Sequence, residues 1–192
     1  MRTDTPRLAP LKDEELDAEQ EEIFSRFRNG GADHAIGRTF MRHPKLWRAY
    51  NAFASHTFSA DNTLSKRESE IITMRTVWQA KAGYQWSRHV PMAMHAGLKE
   101  TEVDALKKSV ELGKWSDSET ALIEMVDALT ADPFVPDDVW EKLTAHFNEQ
   151  QCLDAIFLCG RYVMAAMFTN SVGTPIDADV VLDPDLDARN KR

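Results

Sequence analysis

The 192-residue chain is 43% apolar and 28% charged with a formal net charge of −8, the composition of a globular protein with one substantial core and no room for a second full domain. The acidic balance, with cations scattered singly or in pairs, excludes a nucleic-acid backbone as partner. No run of about 18 apolar residues predicts a membrane span, and the opening M-R-T-D-T-P-R-L lacks the apolar core of a secretory signal, so the expected location is cytoplasmic.

Residues 1–12, with Pro6 and Pro10, read as an extended arm. Leu16, Ile23, Phe24 and Phe27 give an apolar stripe on an acidic background and predict a helix over 13–28, stopped by Gly30-Gly31. A short helical piece fits 36–42. Pro44 suits the first turn of a helix over about 45–57, where Leu46, Trp47, Tyr50 and Phe53 recur at helical spacing. Asp61-Asn62 marks a turn.

Ser65 with Glu68 is a capping-box pattern that opens a helix near Lys66. A break at Ala82-Gly83 separates it from a second helix over about 84–96, which Gly97 stops. Further helices are expected over about 100–111, ended by Gly113, and from Ser116, which pairs with Glu119 as a second capping box, to about Thr130. After Asp132-Pro133 a helix with Pro136 in its first turn runs to about Phe147, and Asn148 caps a last long helix over 149–171 that Gly173 ends. The tail from 174 to 192 is acidic and shows no stable periodicity. No hairpin signal occurs, so the expectation is an all-α single domain over 13–173. The last helix is apolar nearly all round, which predicts burial on several sides or cover by a second subunit.

The stretch E-I-I-T-M-R-T-V-W-Q-A-K-A-G-Y-Q-W-S-R-H, residues 70–89, carries the chemistry. Gln85 and His89 are i,i+4 neighbours on one helix face, and Glu70 lies nineteen residues before the histidine on the preceding helix. A histidine titrates near neutral pH and can move protons, and a carboxylate can orient it. Arg75, flanked by apolar residues, is expected to be partly buried and to need a carboxylate partner, from the protein or from an anionic substrate. Tyr84 and Trp86 fit the core as well as a binding surface. The remaining histidines are single, without a zinc-ligand spacing, and nucleotide-binding and serine-hydrolase motifs are missing, so no metal and no organic cofactor is expected.

L-S-K-R-E-S-E-I-I-T-M-R-T at 64–76, A-G-Y-Q-W-S-R-H at 82–89 and A-G-L-K-E-T-E-V at 96–103 resemble the carboxymuconolactone decarboxylase and alkylhydroperoxidase D family. P-K-L-W at 44–47 and N-S-V-G at 170–173 extend the resemblance over most of 20–173. It implies a helical bundle of the alkylhydroperoxidase D-like type around a central antiparallel helix pair, in a homo-oligomer. It also implies a site at His89, Glu70 and Gln85, to which the residue pattern itself adds Arg75, Tyr84 and Trp86 as substrate-binding candidates.

In the peroxidase branch two cysteines separated by two residues stand where this chain has Ala82 and Gln85, and thiol–disulfide chemistry needs both. Cys152 and Cys159 lie seven apart in one helix, roughly 10 Å by helical rise, too far to bridge. The expected function is therefore a lyase acting on a small carboxylated lactone or related oxygenated acid by His-mediated proton transfer. The alternatives are a thiol peroxidase and a non-catalytic oligomeric binding protein.

Overall fold

The computed structural model describes residues 2–30 and 32–190, with ten α-helices and no strand among them. Met1, Gly31 (half of the expected Gly30-Gly31 stop), Lys191 and Arg192 lie outside the described residues. The helices are α1 (Ala18–Asn29), α2 (Ala35–Phe40), α3 (Pro44–His56), α4 (Lys66–Gln79), α5 (Gly83–His95), α6 (Glu100–Ala105), α7 (Asp117–Ala131), α8 (Asp137–His146), α9 (Glu149–Val172) and α10 (Pro184–Asn190).

The expected helix starts form as their side chains dictate. Ser65 accepts from Glu68 N while Ser65 N donates to the Glu68 carboxylate at 2.7 Å, and Ser116 with Glu119 repeats the exchange. Asn148 caps α9 with Gln151 as its reciprocal partner, and Gly173 ends it in the left-handed region at φ 73°. Pro44 takes the first turn of α3, whereas Pro136 stands one position earlier than expected, at the N-cap of α8.

Two expected helices are corrected. The helix over 13–28 is a 3-10 turn at Asp13–Glu15 followed by α1, because Asp17 breaks the run to cap α1 through Gln20. The helix over 100–111 stops at Ala105, and a 3-10 turn follows at Val110–Leu112. The carbonyls of Leu106 and Lys108 that leave the helical pattern accept instead from Arg75 Nη1, at 2.8 and 2.6 Å.

The acidic tail is not loose. Asp177 accepts from Ala35 N and Tyr84 OH, Asp179 from Arg88, and Asp183 from Trp86 Nε1, while Leu186 of α10 is fully buried. Asp177, Asp179 and Asp183 each find a donor on α2 or α5, which no local periodicity announces.

The helices form two apolar clusters. The larger joins α4, α5, α7, α8 and α9 around Ile71, Ile72, Met74, Leu122, Met125 and Leu158. The smaller gathers Phe24, Phe40 and Met41 with Trp47 and Tyr50, and touches α9 where Phe40 meets Phe168 at 4.3 Å. Fully burying a side chain such as Phe24 contributes about 1.5–3 kcal/mol. α4 and α5 lie side by side in the larger cluster, α4 also packing on α7 and α9. Alone among the described helices, α9 is long and apolar enough to cross a membrane by length and composition; half of that stretch is buried within the fold, as a core helix is. The candidate site residues stand where the two clusters meet.

Candidate active site

The turn between α4 and α5 reverses the chain, with Lys81 at φ 53°, and folds the second turn of α4 against the middle of α5. Glu70 Oε2 and His89 Nδ1 come to 2.9 Å, both side chains buried. The other ring nitrogen, Nε2, lies 2.9 Å from the hydroxyl of Tyr162 on α9, whose ring meets the imidazole edge-on. The imidazole is held at both ends. With Glu70 accepting from Nδ1–H, a neutral ring leaves Nε2 as an acceptor for the Tyr162 O–H. Burial pushes the Tyr162 phenol up to about 12, Arg161 opposing and Glu70 adding to the shift, so it stays protonated near neutrality and is a proton donor.

Two cavities flank this chain of groups, and Tyr162 lines both. One, of about 480 Å³, opens beside Glu70, Lys66 and His95. The other, of about 550 Å³, lies between the small aromatic cluster and the α5–α9 contact, where Trp47, Tyr50, Phe58 and Tyr84 make its walls and His89, Gln85 and Arg161 bring polar groups to it. A mostly apolar hollow with a few convergent polar groups is the usual form of a small-molecule site.

The expected residues fall into two groups. His89, Glu70 and Gln85 come together. Gln85 Oε1 accepts from Thr169 at 2.9 Å, while its Nε2 is buried with no acceptor. Tyr84 lines the larger cavity with its ring, but its hydroxyl donates to Asp177 at 2.7 Å and accepts from Ile36 N, and burial raises its pKa.

Arg75 and Trp86 belong elsewhere. Arg75 grips Asp127 of α7 with both ends of its fork, at 2.6 and 2.7 Å, and lines neither cavity. Five residues of helix turn it roughly 140° from Glu70, toward α7. Its carboxylate partner is a protein acid. Trp86, buried against Trp78 at 5.4 Å with its Nε1–H on Asp183, is core.

Sequence reasoning missed Tyr162 and Arg161. The signal for the second was present: Arg161 is the one charged residue between Asp154 and Asp177, a lone cation in an apolar helix, as Arg75 is in α4. Arg161 is 7% exposed and forms no ion pair among the described residues; Nη1 donates to Thr57 Oγ1 at 3.0 Å and Nε has no acceptor. Nothing in local sequence marks Tyr162, which reaches His89 across 73 positions.

Cys152 and Cys159 are free and buried, burial raises both thiol pKa values, and neither lines either cavity. Ala82 is fully buried just before α5.

Residues 44–128 match the sequence model of the Carboxymuconolactone decarboxylase family. No curated protein matches the chain. Among solved structures, an uncharacterized peroxidase-related protein from Silicibacter sp. TM1040 superposes with a TM-score of 0.79 at 15% identity, over 92% of this chain and 96% of that one. An alkylhydroperoxidase AhpD core protein from Ralstonia eutropha JMP134 gives 0.75 at 17% identity, over 90% and 94%. A cysteine-to-alanine variant of the debrominase Bmp8, in complex with 2,3,4-tribromopyrrole, gives 0.76 at 15% identity, over 92% and 94%. At these identities the likeness is one of fold.

Proposed function

We propose that this chain, which belongs to the carboxymuconolactone decarboxylase family through residues 44–128, is a lyase that protonates carbon in a small carboxylated lactone or related oxygenated acid. The observation that carries the reading is the buried chain Glu70–His89–Tyr162, with its phenol on the wall of an apolar cavity. Decarboxylation breaks a carbon–carboxylate bond and releases carbon dioxide. The electron pair moves onto a neighbouring carbonyl oxygen as an enolate, and a proton then reaches the carbon. Tyr162 presents that proton, and the imidazolium form of His89 replaces it from Nε2–H and becomes the neutral ring, while Glu70 holds the imidazole through Nδ1–H and stabilises the cation before transfer. Gln85 Nε2, a buried donor without an acceptor, suits the enolate oxygen. The step needs no oxidant and no cofactor. Arg75, held by Asp127, has no part in it.

The debrominase of similar fold holds a flat ring, 2,3,4-tribromopyrrole, which supports a flat ring as the occupant of the aromatic cavity here. The test is a screen of carboxylated lactones and unsaturated keto acids for carbon dioxide release. Binding without release from any of them would favour a non-catalytic binding protein.

The thiol-peroxidase reading, suggested by the peroxidase-related proteins of similar fold, needs a cysteine at the site. Changing both Cys152 and Cys159 to Ala is therefore expected to leave turnover per folded molecule within about three-fold, with only a packing loss in stability. Loss of activity in that double variant, or on alkylation, would favour the peroxidase. The free thiols also fit a cytoplasmic location.

The same reading includes a homo-oligomer. α9 exposes Leu153, Phe157, Met164 and Met167 along one stripe, with the exposed Gly160 between them. Their 4-3-4-3 spacing is that of a helix–helix seam. Sedimentation should show a species heavier than the 21.8 kDa chain, and Phe157→Glu with Met164→Glu should shift it to monomer. A wild-type monomer at micromolar concentration would remove the oligomer from the account.

A further inference from the structure

We propose that Arg161 anchors the carboxylate of a small planar acid in the larger cavity, with Gln85 Nε2 taking a second, carbonyl oxygen of the same ligand. The proposal rests on the reading of this cavity as the substrate site and narrows what enters it.

A buried guanidinium is costly unless an anion answers its charge. Arg38, Arg67, Arg75 and Arg88 each bond a protein carboxylate. Arg88 reaches the same cavity but is tied to Asp179 at 2.6 Å. Arg161 has only neutral hydroxyls for partners, those of Thr57 and Tyr162, and its buried Nε–H has no acceptor. Glu70, the carboxylate of the same site, is bonded to His89, and no protein carboxylate among the described residues pairs with Arg161.

The geometry selects the anion. The guanidinium carbon stands 4.8 Å from the Phe58 ring centroid and 4.5 Å from that of Tyr162, so two aromatic faces restrain the planar fork. A restrained fork favours the flat, two-oxygen geometry of a carboxylate. The walls are apolar and aromatic, which suits a ring and not a sugar or polyphosphate. Gln85 lines the same cavity, and its Nε2 is a second buried donor without an acceptor. A ligand with acceptors at two places answers both; an amine answers neither. Tyr162 joins the anchor to the chemistry, its ring beside the guanidinium and its hydroxyl at His89.

The test is calorimetric titration of the full chain with benzoate and with benzamide, its neutral counterpart of nearly the same shape. Benzoate should bind at least about ten-fold more tightly, since a hydrogen bond to a charged group outweighs a neutral one by that order. Arg161→Lys should weaken benzoate about ten-fold, and Arg161→Met by about 30- to 100-fold, with benzamide little changed. Equal binding of the two probes by the wild type, or no benzoate binding at millimolar concentration, overturns the proposal. This comparison stands even if an Arg161 variant fails to fold. Undiminished benzoate affinity in a folded Arg161→Met overturns it too. His89→Gln should keep benzoate affinity within about three-fold. If it also keeps full turnover, the proton-transfer reading fails and the anchor stands. An essential His89 without carboxylate preference removes the anchor alone.

Discussion

Replacing His89 with Gln is expected to lower turnover about 10²- to 10⁴-fold while the protein stays folded. The amide keeps much of the imidazole's size and can still bond Glu70 and Tyr162, but it cannot carry a proton. Tyr162→Phe keeps the edge-on ring contact and removes only the terminal hydroxyl, so its loss should be of similar order. Glu70→Gln should cost less, because it changes orientation and charge without removing the carrier. The measurement is single-turnover kinetics on an acid that the wild type decarboxylates, beside far-UV spectra of each variant. With its pKa pushed up to about 12, Tyr162 should put no limb on the pH–rate profile in the neutral range. A folded His89→Gln variant with wild-type turnover would take the chemistry away from α5.

Arg75→Met should destabilise the fold by about 3 kcal/mol and leave activity per folded molecule unchanged. The substitution removes both bonds to Asp127 and both to the carbonyls of Leu106 and Lys108, and with them the clasp among α4, α7 and the end of α6. Asp127 is about a third exposed and can be rehydrated, which places the loss at the low end for a broken buried pair. The two carbonyls set free need water in its place. Asp127→Asn makes the complementary change, leaving a buried guanidinium without its counter-charge. In a chain of this size such a loss lowers the melting temperature by about 2–4 °C per kcal/mol. Urea titration and kinetics on the same preparations check both halves. A raised KM with unchanged stability would return Arg75 to the substrate.

The two arginines show how far a sequence carries the site. Apolar flanks mark Arg75 as buried and in need of an acid, but they do not say whose acid, because Asp127 stands 52 positions away. The same flanks mark Arg161, yet its position beside Tyr162 and Phe58 depends on how α9 crosses the other helices. Glu70 and His89 were legible because one tight turn joins their helices and the pairing is nearly local. Capping residues Ser65, Ser116 and Asn148 act within four positions and were legible for the same reason. The tail was not. Asp177, Asp179 and Asp183 read as solvated acids until donors on α2 and α5 come to them, and Leu186 is one apolar residue without a periodic partner.

In the proposed reaction Glu70, His89 and Tyr162 together deliver a proton to a carbon of the substrate. Decarboxylation run in heavy water, with the product read by mass spectrometry and NMR, tests it most directly. One deuterium is expected at the carbon that lost carbon dioxide, appearing at a rate that falls with that of turnover in His89→Gln and Tyr162→Phe. An unlabelled product, or one labelled at the wild-type rate without His89, would contradict it.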